Sequence, residues 1–414
     1  MTRRRILLSS FACSPEWGSE PGVGWRWLVE LTQRHDVVLI THRYFRLHLE
    51  PLLRERPLAG LEIHYFAPTA LGAHPHRQLN SRLFYIWWQW RARSLVKSLL
   101  KTEHFDLIHH LTWGTMRFPT FLGHLGVPLM MGPLGGGEVA PMRLFEGSPL
   151  RERLFEWVRS ATLWWSRIDP LAVRGPKASV LVLCKTGDTL SALPKSVRTR
   201  AVVAPEIGAP PVDLRARKSA ANTRGPYRLL FAGRLVGWKG VLLALDTARL
   251  LVQSGHDIFL DIAGDGPLRA LLERHVLRQD LSARVHLLGK LPRESLLELY
   301  GAADLFIFPS LHDSSGNVVL EALSRGLPVI CLDLGGPKHY VTPECGVVVS
   351  TQARSRAEVA RAMAAAIAEI LDRPDRLAAM TRAAAKQATT QTWAVRVAVA
   401  YDLIDRRLNW SPTA

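Results

Sequence analysis

The sequence predicts an α/β protein made of two doubly wound, Rossmann-like domains facing a cleft. Three observations carry that prediction. Short apolar runs alternate with helical segments along the chain, the pattern of βαβ units around a parallel sheet. The alternation occurs twice, with a Pro-, Gly- and Arg-containing break near the middle. At 414 residues the chain is too long for one ordinary core and suits two.

In the first half the buried strands are expected at Ile6 to Cys13, Val37 to Thr41, Leu61 to Phe66, Leu107 to Leu111, Leu129 to Met131 and Val180 to Cys184. The second half repeats the theme at Arg228 to Ala232, Ile258 to Ala263, Val285 to Leu288, Leu305 to Phe308, Val329 to Leu332 and Val347 to Val349. The seam is expected near Pro205 to Pro226, where Gly208-Ala-Pro-Pro211 and the polar stretch 215–224 look like a linker. That gives a first domain over 1–210 and a second over 211–391. The Ala-rich tail predicts helices over Ala357 to Leu371 and Leu377 to Ala388. Ligands of such sheets bind outside the carboxyl ends of the strands.

Composition narrows the partners. Hydrophobic content of 48% and charge of 21% describe a folded globular protein. The formal net charge is +17, and residues 1–210 hold 27 Lys and Arg against 16 Asp and Glu, with ten of the thirteen Trp. Excess base suits nucleic acid, an anionic membrane or a phosphorylated substrate. The base is spread along the chain and no nucleic-acid module is present, so no nucleic-acid partner is expected. Base combined with Trp favours a membrane interface. Two stretches have that composition, Leu83 to Leu100 and Arg151 to Arg167. Each is either an interfacial helix or a helix packed inward with cations on its outer face. Cys13, Cys184, Cys331 and Cys345 lie far apart without metal-ligand spacing, and reduced thiols in a cytoplasmic protein are expected. No run approaches the ~20 apolar residues of a spanning helix. The segment from Ile6 leads into a Gly-rich loop and is expected to be a first strand, not a signal peptide.

The stretch from Phe308 to Ile330 carries the most chemistry. A strand ends at Phe308, a polar turn runs from Ser310 to Asn317, and a helix starts near Gly316 and stops at Gly326. Asp313 then lies in the loop and Glu321 about one turn inside the helix. A helix start attracts negative charge, and two acids beside it suit a ligand that carries phosphates and hydroxyls together. Earlier, Phe231-Ala-Gly-Arg-Leu-Val-Gly-Trp-Lys-Gly240 follows the first strand of the second half. Arg234 can fork onto phosphate oxygens and Lys239 can add a point charge.

The acid-seven-residues-acid spacing of Asp313 and Glu321, with the Gly-Arg…Lys-Gly element, resembles the retaining GT-B glycosyltransferases of family four. Asp313 stands where that family usually has Glu, and Ser315-Gly316 where it has Phe-Gly. The closest look is to bacterial enzymes of exopolysaccharide or lipopolysaccharide assembly. The resemblance implies a nucleotide-diphosphate sugar donor, transfer of a hexose to a hydroxyl of a glycan or lipid-linked acceptor, retention of anomeric configuration, and no cofactor. No Asp-x-Asp triplet occurs, so no metal clamp is expected. It also implies a last helix, within 392–414, that crosses back to the first domain, and a cytoplasmic protein peripheral at the inner face of the cell membrane.

By the same resemblance Arg234 and Lys239 face the diphosphate, Asp313 with Ser315, Gly316 and Asn317 holds the sugar, and Glu321 holds the ribose. Gly264, in Gly-Asp-Gly266, and Leu288, in Val-His-Leu-Leu-Gly289, approach the nucleotide; Asp265 is expected to cap the helix that follows its turn. In the first half, Trp17-Gly-Ser-Glu-Pro-Gly-Val-Gly24 resembles the superfamily's Gly-rich loop, with Gly22 and Gly24 opening a helix near Trp25 onto the donor. His109 and His110 match a family element on the fourth strand; alternation puts one inward and one across the cleft, with His110 the candidate for catalysis and His109 on the acceptor side. Met131-Gly-Pro-Leu-Gly-Gly-Gly-Glu138 lacks the His many relatives have there, leaving Glu138 to take part of that role or to cap a helix. Two other functions share the fold: a sugar-nucleotide epimerase, which consumes donor without acceptor, and a non-catalytic nucleotide-sugar-binding or scaffold protein.

Overall fold

The computed structural model describes residues 3–67, 79, 81–215 and 226–410. Most of the expected linker, 216–224, lies outside the described residues. Two compact units result.

The first unit is built from 1–137, 161–207 and 393–414. Its strands are β1 (Arg5–Ser10), β2 (Asp36–His42), β3 (Leu61–Phe66), β4 (Leu107–Thr112), β5 (Leu129–Leu134), β6 (Leu181–Cys184) and β7 (Ala201–Val203). They form one sheet in the order β3-β2-β1-β4-β5-β6-β7, and every pairing is parallel. The central strands are apolar because both faces are covered: β1, β2, β4 and β5 are buried almost throughout. β7 is a three-residue edge strand, too short to announce itself in the sequence.

The second unit is built from 138–160 and 208–392. β8 (Tyr227–Ala232), β9 (Ile258–Ala263), β10 (Val285–Gly289), β11 (Leu305–Phe308), β12 (Val329–Leu332) and β13 (Gly346–Val349) form a parallel sheet in the order β10-β9-β8-β11-β12-β13. The helices Val241–Gln253 and Arg356–Leu371 cover its core, which is continuous with Leu229, Phe231, Leu260 and Ile330.

One segment differs from the boundary expected at 210. Residues 138–160 sit with the second unit, because Leu144 and Phe145 are part of its core and Arg356 pairs with Asp246 while donating to the Glu146 carbonyl. The last helix, Trp393–Arg407, belongs to the first unit: Tyr401 packs against His35 and His109, and Asp405 pairs with Arg4.

Each sheet reverses its strand order once, between β1 and β4 in the first and between β8 and β11 in the second. At such a switch point two loops diverge at the carboxyl edge and leave a crevice where open α/β sheets bind ligands.

Candidate active site

The second unit's switch point is formed by the loops after β8 and β11. After β8 the chain passes Gly233 and Arg234, makes a short turn at Gly237–Lys239, and enters the helix Val241–Gln253. Gly240 has φ +71°, and a Cβ there would stand 1.9 Å from the Pro309 carbonyl oxygen. The two loops can approach only because this residue has no side chain. Leu311 N–H donates to the Trp238 carbonyl at 2.8 Å and ties them together.

Asp313 projects from the second loop. Its carboxylate pairs with Lys239 and accepts the N–H groups of Ser315 at 3.2 Å and Gly316 at 3.0 Å. Burial alone would raise its pKa; the Lys239 charge and these hydrogen bonds prevail, and the carboxyl is held below its usual range. Lys239 Nζ also lies 4.6 Å from the Trp238 ring centre and 5.1 Å from that of Phe308. Gly316, at φ +75°, then turns the chain into the helix Asn317–Ser324, so Asn317 opens that helix at the exposed edge.

Glu321 lies on this helix and pairs with Arg293 at 3.1 Å. Burial outweighs the arginine and raises its carboxyl above the ordinary value. Arg234 is exposed and, among the described residues, has no ion pair. The two loops and the helix that follows therefore carry Lys239 paired with Asp313, a cation with no ion pair among the described residues, a helix start and a second carboxylate, Glu321. A phosphate-bearing polyol matches that set: guanidinium and ammonium on phosphate oxygens, carboxylates on hydroxyls.

On the same edge, a Cβ at Gly264 would meet the Gly233 carbonyl oxygen at 1.9 Å, so the backbones after β8 and β9 touch. Leu288 is 37% exposed near the end of β10. Asp265 accepts the Gly266 N–H at 2.7 Å and does not cap the helix that follows, Arg269–Arg278, whose N-cap residue is Leu268 with no side-chain hydrogen bond.

A residue that sequence reasoning missed supports this loop from behind. Glu156 is fully buried, receives hydrogen bonds from Arg159 at 2.8 to 3.1 Å, and stands 3.1 Å from His312. His312 stacks on Trp238 with ring centres 4.6 Å apart. Burial opposes ionisation of Glu156, but His312 and Arg159 overcome it and bring its pKa to about 2. Nothing in the spacing of 156 and 312 could have joined them.

The first unit alters several expectations. The helix after β1 is Ser19–Thr32, so Gly22 and Gly24 lie inside it and do not precede it. A Cβ at Gly24 would fall 2.3 Å from the Ala12 carbonyl oxygen and one at Gly22 2.6 Å from that of Trp17. Packing against β1 and its following loop is reason enough for both.

His109 and His110 project to opposite faces of β4, but helices cover both faces. Both are fully buried, which corrects the expectation that one faces a cleft. His109 meets the Tyr401 hydroxyl at 3.1 Å and the Gly132 carbonyl at 2.8 Å; His110 meets the Tyr85 hydroxyl at 3.1 Å and Ser9 at 3.4 Å. Burial drives their pKa values to about 4 and about 3, so both are neutral at pH 7. Glu138 is buried too, and its carbonyl accepts from Arg159.

At the first switch point the polar cluster is instead Glu20, Lys185 and Glu206. The Gly114 N–H, just past β4, donates to Glu20 at 2.5 Å, and Lys185 pairs with Glu206 at 2.6 Å. Burial raises the Glu20 carboxyl against the pull of Lys185. Glu20 lies within the Gly-rich stretch Trp17 to Gly24, so its position is visible in the sequence, whereas its pairing with the Gly114 N–H, 94 residues on, is not.

Among the described residues no cluster of His, Cys, Asp or Glu could hold a metal ion.

The class indicated by this geometry is also that indicated by sequence comparison. Residues 213–387 match the family model described as Glycosyl transferases group 1, and the chain is similar to several glycosyltransferases. The particular relatives include alpha-D-kanosaminyltransferase of Streptomyces kanamyceticus, 27% identical over 260 residues, 61% of this chain and 63% of that protein. Amylovoran biosynthesis glycosyltransferase AmsK of Erwinia amylovora is 33% identical over 117 residues, 27% of this chain and 29% of its own length. The alignments thus span less than two thirds of either relative. HepE of Anabaena, solved in complex with UDP and glucose, has the same fold over 98% of this chain and 100% of its own, with a TM-score of 0.56 and 16% identity.

Proposed function

We propose that this protein is a retaining, metal-independent glycosyltransferase that moves a hexose from a nucleotide-diphosphate sugar to a hydroxyl of a lipid-linked glycan. The observation that carries the proposal is the close approach of the loops after β8 and β11 at Gly240 and Pro309, with Arg234 and Lys239 on the first loop, Asp313 on the second, and the helix Asn317–Ser324 with its Glu321 following. In transfer, the bond between the anomeric carbon and the diphosphate oxygen breaks and a bond to the acceptor oxygen forms on the same face. Charge grows on the leaving diphosphate, and Arg234, Lys239 and the helix start are fixed to receive it. Asp313, with the main chain of Ser315 to Asn317, holds the sugar hydroxyls, and Glu321 the ribose. The backbone at Gly264 and Leu288 borders the nucleotide. The acceptor's proton passes to the departing phosphate, so no separate base is required. His109 and His110 take no part: each is satisfied inside the first unit.

The acceptor side is assigned to the first unit together with Glu138. Surface-polysaccharide synthesis is favoured by the amylovoran-assembly role in the name of one relative and by the basic, Trp-rich first half. A site at the cytoplasmic face of the cell membrane follows from that acceptor.

The test is the product. With a panel of nucleotide-diphosphate sugars and a lipid-linked acceptor, NMR of the new glycosidic bond should show the donor's anomeric configuration. Inversion would refute the mechanism, and donor consumption without any acceptor would point to an epimerase. A melting-temperature panel of nucleoside diphosphates identifies the base, because ligand that binds the native state raises its transition.

A further inference from the structure

The two aromatic and cationic segments of the first half meet opposite fates. In the helix Arg82–Leu99 the stripe Phe84, Tyr85, Trp88, Ala92 and Val96 is buried, so the apolar face points inward as in an ordinary surface helix. In the helix Leu150–Ser166 the arrangement is reversed. Leu150, Leu154, Trp157, Val158, Trp164 and Trp165 are between 47% and 78% exposed. Their spacing of three, four, seven and eight residues places them on one stripe covering about 120° of the helix. The opposite stripe is polar and turned inward: Glu152 accepts the Gly237 N–H at 2.9 Å, Glu156 is fully buried against Arg159, and Leu163 is its buried apolar member.

A helix anchored by its charges that displays its Leu and Trp side chains is the inverse of what burial in water selects, and exposed apolar patches of this kind mark an interaction surface. We propose that this face is a membrane-docking helix that lies in the plane of an anionic bilayer. The chemistry selects lipid as the occupant. Arg151 and Arg153 are exposed and, by the helical period, flank the two edges of the apolar stripe. There their stems lie along hydrocarbon while the guanidinium groups reach phosphate. Three Trp on the stripe suit the headgroup boundary, where an amphipathic ring has one dry and one wet side. The chain's +17 charge favours approach to an anionic leaflet. No described helix is long and apolar enough to cross a membrane, so contact through this helix is in-plane. The inference deepens the lipid-linked acceptor proposed above, and vesicle binding is measured without turnover, so the two stand or fall separately.

The experiment uses the full chain with phosphatidylcholine vesicles, with and without phosphatidylglycerol. Wild type should cosediment with the anionic vesicles, and its tryptophan emission should shift to the blue and be quenched by bromine-labelled acyl chains. The combined variant Leu154→Glu, Trp157→Glu, Trp164→Glu should lose roughly tenfold or more in vesicle affinity. Its thermal response to nucleoside diphosphates should be unchanged, which shows that it is folded. Arg151→Gln and Arg153→Gln should each lose roughly fivefold at low salt and less at high salt. Equal binding by wild type and the triple variant would overturn the proposal. So would a wild-type dimer in light scattering that the triple variant turns into a monomer, since the face would then be covered by a second copy.

Discussion

The switch points of the two sheets invite comparison, because each lies at the carboxyl edge between diverging loops and each holds charged side chains. In the first, Glu20 and Glu206 face a single Lys185, and the lysine is committed to Glu206. In the second, Lys239 faces Asp313 while Arg234 is left over. The first cluster has a surplus of carboxylate, whereas the second includes a cation with no ion pair among the described residues. A diphosphate entering the first would meet repulsion and a desolvation cost; entering the second it meets a fork, an ammonium and a helix start. The same architecture thus carries a carboxylate-rich cluster in one unit and, in the other, a cation with no ion pair among the described residues, and what distinguishes them is a few side chains at strand ends.

The sharpest way to break this contrast is Lys239→Ala. It removes the cation proposed to receive the leaving diphosphate and strands Asp313 in a buried setting without its partner. Loss of one preorganised charge-stabilising group typically costs about 10²–10³ in rate, and steady-state transfer kinetics should show a loss of that order in kcat. Next in size is Arg234→Ala. Among the described residues Arg234 has no ion pair to strand, so stability should be unchanged while nucleoside-diphosphate affinity falls roughly tenfold or more, as expected for a charge-assisted hydrogen bond of ~1.5–3 kcal/mol. Arg234→Lys should recover only part of it, because an ammonium cannot fork. Calorimetric titration with nucleoside diphosphates decides both points.

How much of this was legible beforehand differs between the units. The second unit's strands, the loop at Asp313, the helix start beside Gly316 and the cations at 234 and 239 all follow from local pattern, since each lies within a few residues of a strand end. The first unit was legible as a fold and poorly as a site. Helix Ser19–Thr32 begins earlier than its glycines suggested, because Gly22 and Gly24 are needed for close packing and not for a loop. The histidines of β4 match a short motif, yet their environment depends on Tyr85 and Tyr401, contacts spanning 25 and 292 residues. Glu156 and His312 are separated by a whole domain's worth of chain. Long-range pairing of that kind leaves no periodic trace.

Glu156 offers a third, smaller test, since it acts on the second crevice only through its neighbours. Its carboxyl is held at about pH 2 in the fold, below the ordinary Glu value near 4.3. A depressed acid stabilises the fold above its unfolded pKa, and that contribution is lost as pH falls through the folded pKa. The window therefore runs from about pH 4.3 down to about pH 2. Glu156→Gln should flatten this part of the melting-temperature profile and cost about 3 kcal/mol at neutral pH by leaving Arg159 without its buried partner. If Glu156 also positions the 312–313 loop, kcat should fall several-fold with KM for donor little changed. A loss of stability with unaltered kcat would reduce it to a structural group.

The smallest effect, and the one that isolates the first unit, is expected for Glu20→Gln. Burial raises the Glu20 carboxyl, so in wild type its contribution to stability is present at low pH and lost as pH rises through the folded value. The amide does not carry that loss to neutral pH, and its oxygen can still accept the Gly114 N–H. The variant should melt at or slightly above the wild-type temperature at pH 7, by no more than a few degrees, with nucleoside-diphosphate affinity untouched. Acceptor KM is where a role in holding hydroxyls would appear. If nucleoside-diphosphate affinity changed instead, the division of labour between the two switch points would be wrong, because a carboxylate in the first crevice would then be sensing phosphate.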